Sequence, residues 1–157
     1  MKHFFCLFLV ATVISLSSLF ALADTCDRKS TDQTVSSFLW SDLRELGFTV
    51  PLNEQRVFET HIIFVDSSGV MDFRLVGPEG SEIDAVAVCS QGGSLTETTV
   101  SQTEEFSCQV NGEVGSLLVR GSVANGATQG RLSLQARRFG IQGSVHAGSS
   151  ICWTKAQ

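Results

Sequence analysis

Two histidines, His61 and His146, are the only imidazoles beyond residue 23, so any acid–base or nucleophilic chemistry that needs one must be built around them. A serine hydrolase requires a nucleophile held against an oriented imidazole, and no G-x-S-x-G occurs to supply it. His61 follows Glu59 at the spacing that shares one face of a strand, a pair without a nucleophile. His146 falls with Gln142 and Ser144 on the polar parity of its segment and reads as exposed. Neither H-E-x-x-H, a P-loop nor G-x-G-x-x-G is present, so no catalytic residue and no cofactor is assigned. Asp66, Asp72, Glu79, Glu82 and Asp84 are weak calcium candidates, because they are oxygen donors near turns and strand ends. Their spacing is not that of an EF-hand, and solvated loop acids are the ordinary reading. The remaining set is Arg120, Arg131, Gln135 and Arg137, with Ser133 between them. If 116–123 pairs with 131–138, these side chains share one solvent face and offer planar donors to carboxylate or sulfated groups.

The cysteines point to stapling. Residues 1–23 form a signal peptide: a basic start at Lys2, a long apolar run, and Ala21-Leu22-Ala23 as the cleavage site. Cleavage leaves residues 24–157, enough for one domain and too few for two. No later apolar stretch is long enough to span a bilayer as a helix. Cys6 lies in the signal, so Cys26, Cys89, Cys108 and Cys152 enter an oxidising compartment as an even set. Three pairings are open. The favoured one is Cys89–Cys108, which flanks a short loop, with Cys26–Cys152 tying the chain ends together. A metal site fits poorly, since there is no C-x-x-C and the histidines have no motif spacing to the cysteines.

The formal net charge is −5, but it is unevenly distributed. Residues 24–113 hold all sixteen acids and five bases, whereas 114–157 hold Arg120, Arg131, Arg137, Arg138 and Lys155 and no acid. Scattered arginines on an acidic chain argue against nucleic acid as a partner. Two oppositely charged halves that attract as they pack are the simpler reading of the asymmetry.

The elements that must position these groups are mostly strands. Val35, Phe38, Leu39, Leu43 and Leu46 recur near helical spacing, which predicts a short helix over 34–47 stopped at Gly47, with Trp40 off its stripe and able to cover a sheet edge. From there on, 56–65, 70–76, 83–89, 95–100, 105–110, 116–123, 131–138, 141–146 and 150–154 read as strands, spanning 56–154. Turns are marked by Pro78-Glu79-Gly80, Asn111-Gly112 and Asn125-Gly126. Alternation turns Met71, Phe73 and Leu75 inward, as it does Phe106, Cys108 and Val110, and Leu117, Val119 and Val123. Leu132, Leu134 and Ala136 follow the same rule. Half-buried antiparallel strands of this kind build an all-β sandwich, here jelly-roll-like, with one N-terminal helix and two staples.

The stretch from about Thr60 to Ala136 resembles the bacterial pre-peptidase C-terminal type of domain, a jelly-roll-like sandwich appended to secreted enzymes. The likeness lies in HIIFVDSSGVMDFRLVGPEG and SEIDAVAVC, in EEFSCQV before a turn, and in GSLLVRGSVANGATQGRLSLQ. The family's aromatic strand usually carries tyrosine, whereas this chain has none. Ser68-Gly69 is similar to the start of the S-G-x-x-Y loop of small periplasmic lysozyme inhibitors, with Asp72 at the tyrosine position. The sequence reading is therefore an exported, secreted or periplasmic, non-catalytic binding or accessory domain for a protein or glycan. An enzyme inhibitor of the lysozyme-inhibitor class and a small secreted hydrolase are the alternatives.

Overall fold

The computed structural model describes residues 25–35, 38–66, 69–91, 94–110, 114–138 and 143–156. The signal peptide expected over 1–23 and the Asn111-Gly112 turn lie outside the described residues. Twelve strands are found in chain order among the described residues. They are β1 (Thr25–Arg28), β2 (Gln33–Val35), β3 (Ser41–Val50), β4 (Gln55–Asp66), β5 (Gly69–Val76) and β6 (Glu82–Gln91), followed by β7 (Ser94–Ser101), β8 (Glu105–Val110), β9 (Val114–Ala124), β10 (Gly130–Arg138), β11 (Gly143–Val145) and β12 (Ser150–Lys155).

These strands form two antiparallel sheets. The larger runs β1-β12-β4-β9-β6-β7, with β11 bridging β4 to β2; the smaller runs β3-β10-β5-β8. The strand periodicity read from the sequence is the cause: each strand turns alternate apolar residues inward, and two such faces can be dried only against each other. Phe58, Ile62 and Phe64 on β4 and Leu117, Val119 and Val123 on β9 face Phe48 on β3, Leu132 and Leu134 on β10, and Phe73 and Leu75 on β5, all of them buried. Phe64 meets Phe73 edge-on at 5.3 Å, and Phe48 stacks on Trp153 at 4.8 Å, so aromatic contacts lock one layer to the other. Gly115 and Gly121 of β9 make room in this interior: a Cβ at the first would meet the Phe64 ring at 2.7 Å and at the second Ala85 at 2.5 Å.

Two disulfides close the sandwich, in the pairing favoured by loop length. Cys26–Cys152 joins the paired strands β1 and β12, and Cys89–Cys108 joins β6 of one sheet to β8 of the other.

The helix expected over 34–47 is corrected to β2, a bend and β3. Its supposed stripe is divided, with Val35, Leu43 and Leu46 buried but Phe38 and Leu39 exposed at 66% and 74%. The helical spacing of Leu43 and Leu46 comes from a β-bulge. The β3–β10 register shifts between Ser133 and Gln135, Glu45 takes a φ of 69°, and both leucines therefore point inward three residues apart. Gly47 is not a helix stop; a Cβ there would meet the Leu132 carbonyl oxygen at 2.5 Å and the Arg131 Nε at 2.9 Å. The Asn125-Gly126 turn is also built differently. Asn125 is buried, and its side-chain amide donates to the carbonyls of Val50 and Pro51 at 3.0 and 3.1 Å, pinning the β3–β4 turn.

Candidate binding site

The outer face of the four-stranded sheet collects polar and planar groups because the inward parity of each of its strands is apolar. On β10, burial of Leu132, Leu134 and Ala136 sends Arg131, Ser133, Gln135 and Arg137 outward. On β5 the same rule turns Asp72 and Arg74 to this face, where Asp72 is buried beneath its neighbours and Arg74 half-buried, and the register sets Gln135 beside Arg74 and Arg137 beside Asp72. Trp40, just before β3, reaches over this face: the Arg74 guanidinium carbon lies 4.3 Å from its ring centroid and that of Arg137 lies 4.4 Å away.

A chain of hydrogen bonds holds these groups in place. Arg74 donates from Nε to Gln135 Oε1 at 2.8 Å, and Gln135 donates from Nε2 to Asp42 Oδ1 at 2.7 Å. Arg137 donates from Nε to Asp72 at 3.2 Å and from a terminal nitrogen to Glu105 at 2.5 Å. Ser107 donates to the other oxygen of Asp72 at 2.7 Å. Arg74 and Arg137 are thus interleaved with Asp42, Asp72 and Glu105, and Arg131, opposite Thr49, adds a third cation at the far end of the same face. The sheet presents a charge-balanced, hydrogen-bond-rich plane with one half-buried indole on it.

Arg120 does not belong to this surface. The expected 116–123 with 131–138 hairpin does not form, because residues 125–129 carry the chain from one sheet to the other. β9 pairs with β4 and β6 instead, and Arg120 lies opposite Glu59, with its Nε 2.6 Å from the Glu59 carboxylate. Sequence reasoning found Arg131, Gln135 and Arg137 but missed Trp40, Arg74, Asp42 and Asp72 as their neighbours. Parity on 70–76 does turn Asp72 and Arg74 outward; what it lacks is the pairing of β5 with β10.

The calcium candidates are also separated. Asp66 is fully buried against Arg138, an ion pair with both side chains at 0% exposure. Asp72 is held by Ser107 and Arg137, Glu79 stands on the Pro78–Gly80 turn, and Glu82 and Asp84 lie exposed on β6. Among the described residues no group of three or more His, Cys, Asp or Glu is placed to hold a metal ion.

His146 has neighbours that sequence spacing did not reveal. Its Nε2 is 3.4 Å from Ser144 Oγ, and its Nδ1 is 3.4 Å from Asp32 Oδ2, the order of a hydrolytic triad. Such a triad also needs backbone donors for the developing oxyanion. Here the amides of His146, Ala147, Gly148 and Ser149 donate to Ile63 O, Asp32 Oδ1, Lys29 O and His146 O respectively. Each is already bonded, so this turn offers no oxyanion hole, and the three side chains form a surface clasp between the N-terminal segment and the β11–β12 turn. His61 is exposed on β4 between Ser150 and Leu118, two residues from Glu59.

The same N-terminal segment holds a second knot. Lys29, almost fully buried, donates to Gln33 Oε1 at 3.0 Å and to the Arg44 carbonyl at 3.3 Å. Burial pushes its pKa down, against the pull of the Glu45 carboxylate. Glu45 accepts from the Ser30 amide at 2.6 Å and the Ser30 hydroxyl at 2.8 Å, and these two bonds hold its carboxyl below the usual range.

The fold and this face define a disulfide-stapled antiparallel β-sandwich with a polar sheet surface. No family model matches the chain, and no curated protein sequence does. Among solved structures it is similar to TmCBM61 in complex with β-1,4-galactotriose, at 12% identity and a TM-score of 0.34, over 75% of this chain and 88% of that one. The galactotriose belongs to that protein. No helix among the described residues is long and apolar enough to cross a membrane.

Proposed function

We propose that this chain is an exported, non-catalytic binding module, working in the periplasm or outside the cell, whose ligand is a glycan lying on the outer face of β3-β10-β5-β8. The observation that carries this reading is Trp40 braced by Arg74 and Arg137 on a plane of fixed hydrogen-bonding groups. An aromatic platform with a few oriented polar groups is what recognition of an amphipathic ring requires. Bracing also lowers the ordering cost of binding, because the indole and guanidiniums are already positioned. The balance of Arg74, Arg131 and Arg137 by Asp42, Asp72 and Glu105 favours a neutral sugar over a sulfated or carboxylated one, since a polyanion would meet the exposed carboxylates of Asp42 and Glu105. The two disulfides, which fit an oxidising compartment, support the exported part of this reading.

Trp40 fluorescence tests this. With Trp153→Phe as background, Trp40 is the only tryptophan. Titration with neutral oligosaccharides is expected to shift its emission, and Trp40→Ala is expected to weaken binding at least tenfold with the fold retained. A panel of neutral and sulfated glycans that never perturbs Trp40, or a Trp40→Ala variant that binds as the parent does, would overturn the assignment.

A further inference from the structure

The open edge of the larger sheet is a second surface, on a different sheet from the glycan site and independent of it. Among the described residues β7 pairs only with β6, through eight consecutive register pairs from Asp84↔Ser101 to Gln91↔Ser94 without a shift. A strand at a sheet edge leaves the backbone amides and carbonyls of every second residue unpaired on its outer side. Natural edges are guarded by lysine, proline, bulges or shortness. β7 has none of these: it reads SLTETTVS, and every residue but Val100 is exposed. The other edges differ, since β1 has four residues and a disulfide, β2 has three residues, β3 is bulged at Glu45, and β8 has six residues.

Charge identifies the occupant. From residue 75 to 119 there is no lysine or arginine, while Glu79, Glu82, Asp84, Glu97, Glu104, Glu105 and Glu113 all fall there. Parity sets Glu97 on the outward face of β7, with Glu82 and Asp84 on the same face of β6. Val86 lies between Asp84 and Glu97 on this face and Leu95 beyond Glu97, exposed at 36% and 72%. A second copy of the chain is disfavoured as partner, because antiparallel pairing of two β7 edges would bring Glu97, near the middle of the strand, close to the other copy's Glu97. We propose that the β7 edge takes up an extended segment of a cationic protein as an additional antiparallel strand, with main-chain bonds to β7, its basic side chains on the face that carries Glu97 and Asp84, and the alternate, apolar side chains on the opposite face.

The probes are two eight-residue peptides, one alternating lysine with valine and one alternating glutamate with valine, added to the disulfide-bonded protein. The lysine peptide is expected to bind and to slow hydrogen exchange at alternate amides of β7. Its affinity should fall at least tenfold in Glu97→Lys/Asp84→Lys, two exposed positions whose replacement leaves the circular dichroism unchanged. Raised salt should weaken it as well. The proposal is overturned if both peptides bind equally, if the charge reversals leave affinity unchanged, if protection appears away from β7, or if sedimentation shows the protein pairing with itself through this edge.

Discussion

Arg138 and Asp66 place opposite charges inside the sandwich, both at 0% exposure, where each is tolerable only because of the other. Removing one partner strands a buried charge, so Arg138→Met is expected to lower unfolding stability by about 3–5 kcal/mol in urea titration. Replacing both, as Arg138→Met with Asp66→Leu, should recover most of that loss, because two desolvation costs vanish together. Glu45 makes a pH-dependent contribution. Its carboxyl pKa is lowered by the Ser30 amide and hydroxyl, so its stabilising effect is complete above the ordinary value of 4.5 and is lost as the pH falls through the lowered one. The Tm gap between the parent and Glu45→Gln should therefore be open at pH 7 and close progressively below pH 4.5. In the proposed glycan site, individual residues were legible from strand parity alone, as Arg131, Gln135 and Arg137 were. Trp40 was not, because its position depends on the bend at 38–40 and on which strand lies two places across the sheet.

At the scale of elements, close approach of strands sets the tolerances. Gly121 on β9 sits against Ala85 and the Asp84 carbonyl on β6, both 2.5 Å from where a Cβ would be. Gly121→Ala must therefore push β6 and β9 apart or shift side chains, at about 1–3 kcal/mol, and the denaturation midpoint should fall with the slope unchanged. At Gly126 a Cβ would meet Gly80 O at 3.7 Å, an ordinary contact, so Gly126→Ala is expected to leave packing undisturbed. The strands from β4 to β10 were readable because period-2 alternation survives wherever one face is dry. The β2–β3 region was misread for an equally physical reason: the bulge at Glu45 spaces two inward leucines by three, which on a linear chain is indistinguishable from a helical turn. The run of Leu46, Phe48 and Val50, alternating with Gly47 and Thr49, was the strand signal available there.

For the whole molecule, the two disulfides constrain the unfolded chain to different degrees. Cys26–Cys152 spans 126 residues and Cys89–Cys108 spans 19. Loop-closure entropy assigns roughly 5 kcal/mol to the former and about 3 kcal/mol to the latter. Paired Cys→Ser replacement of Cys26 and Cys152 should thus lower the urea midpoint more than replacement of Cys89 and Cys108. The sequence by itself determined that the chain is β-rich, which residues face a dry interior, and which cysteines make short and long loops, since these follow from local alternation and from counting along the chain. Only the tertiary structure decided which strands are neighbours. The step of 125–129 between sheets separates Arg120 from Arg131, the β5–β10 register brings Arg74 and Arg137 beneath one indole, and β7 is left as an edge. Pairing partners far apart in sequence are selected by the joint burial of two faces, a condition that no single segment carries.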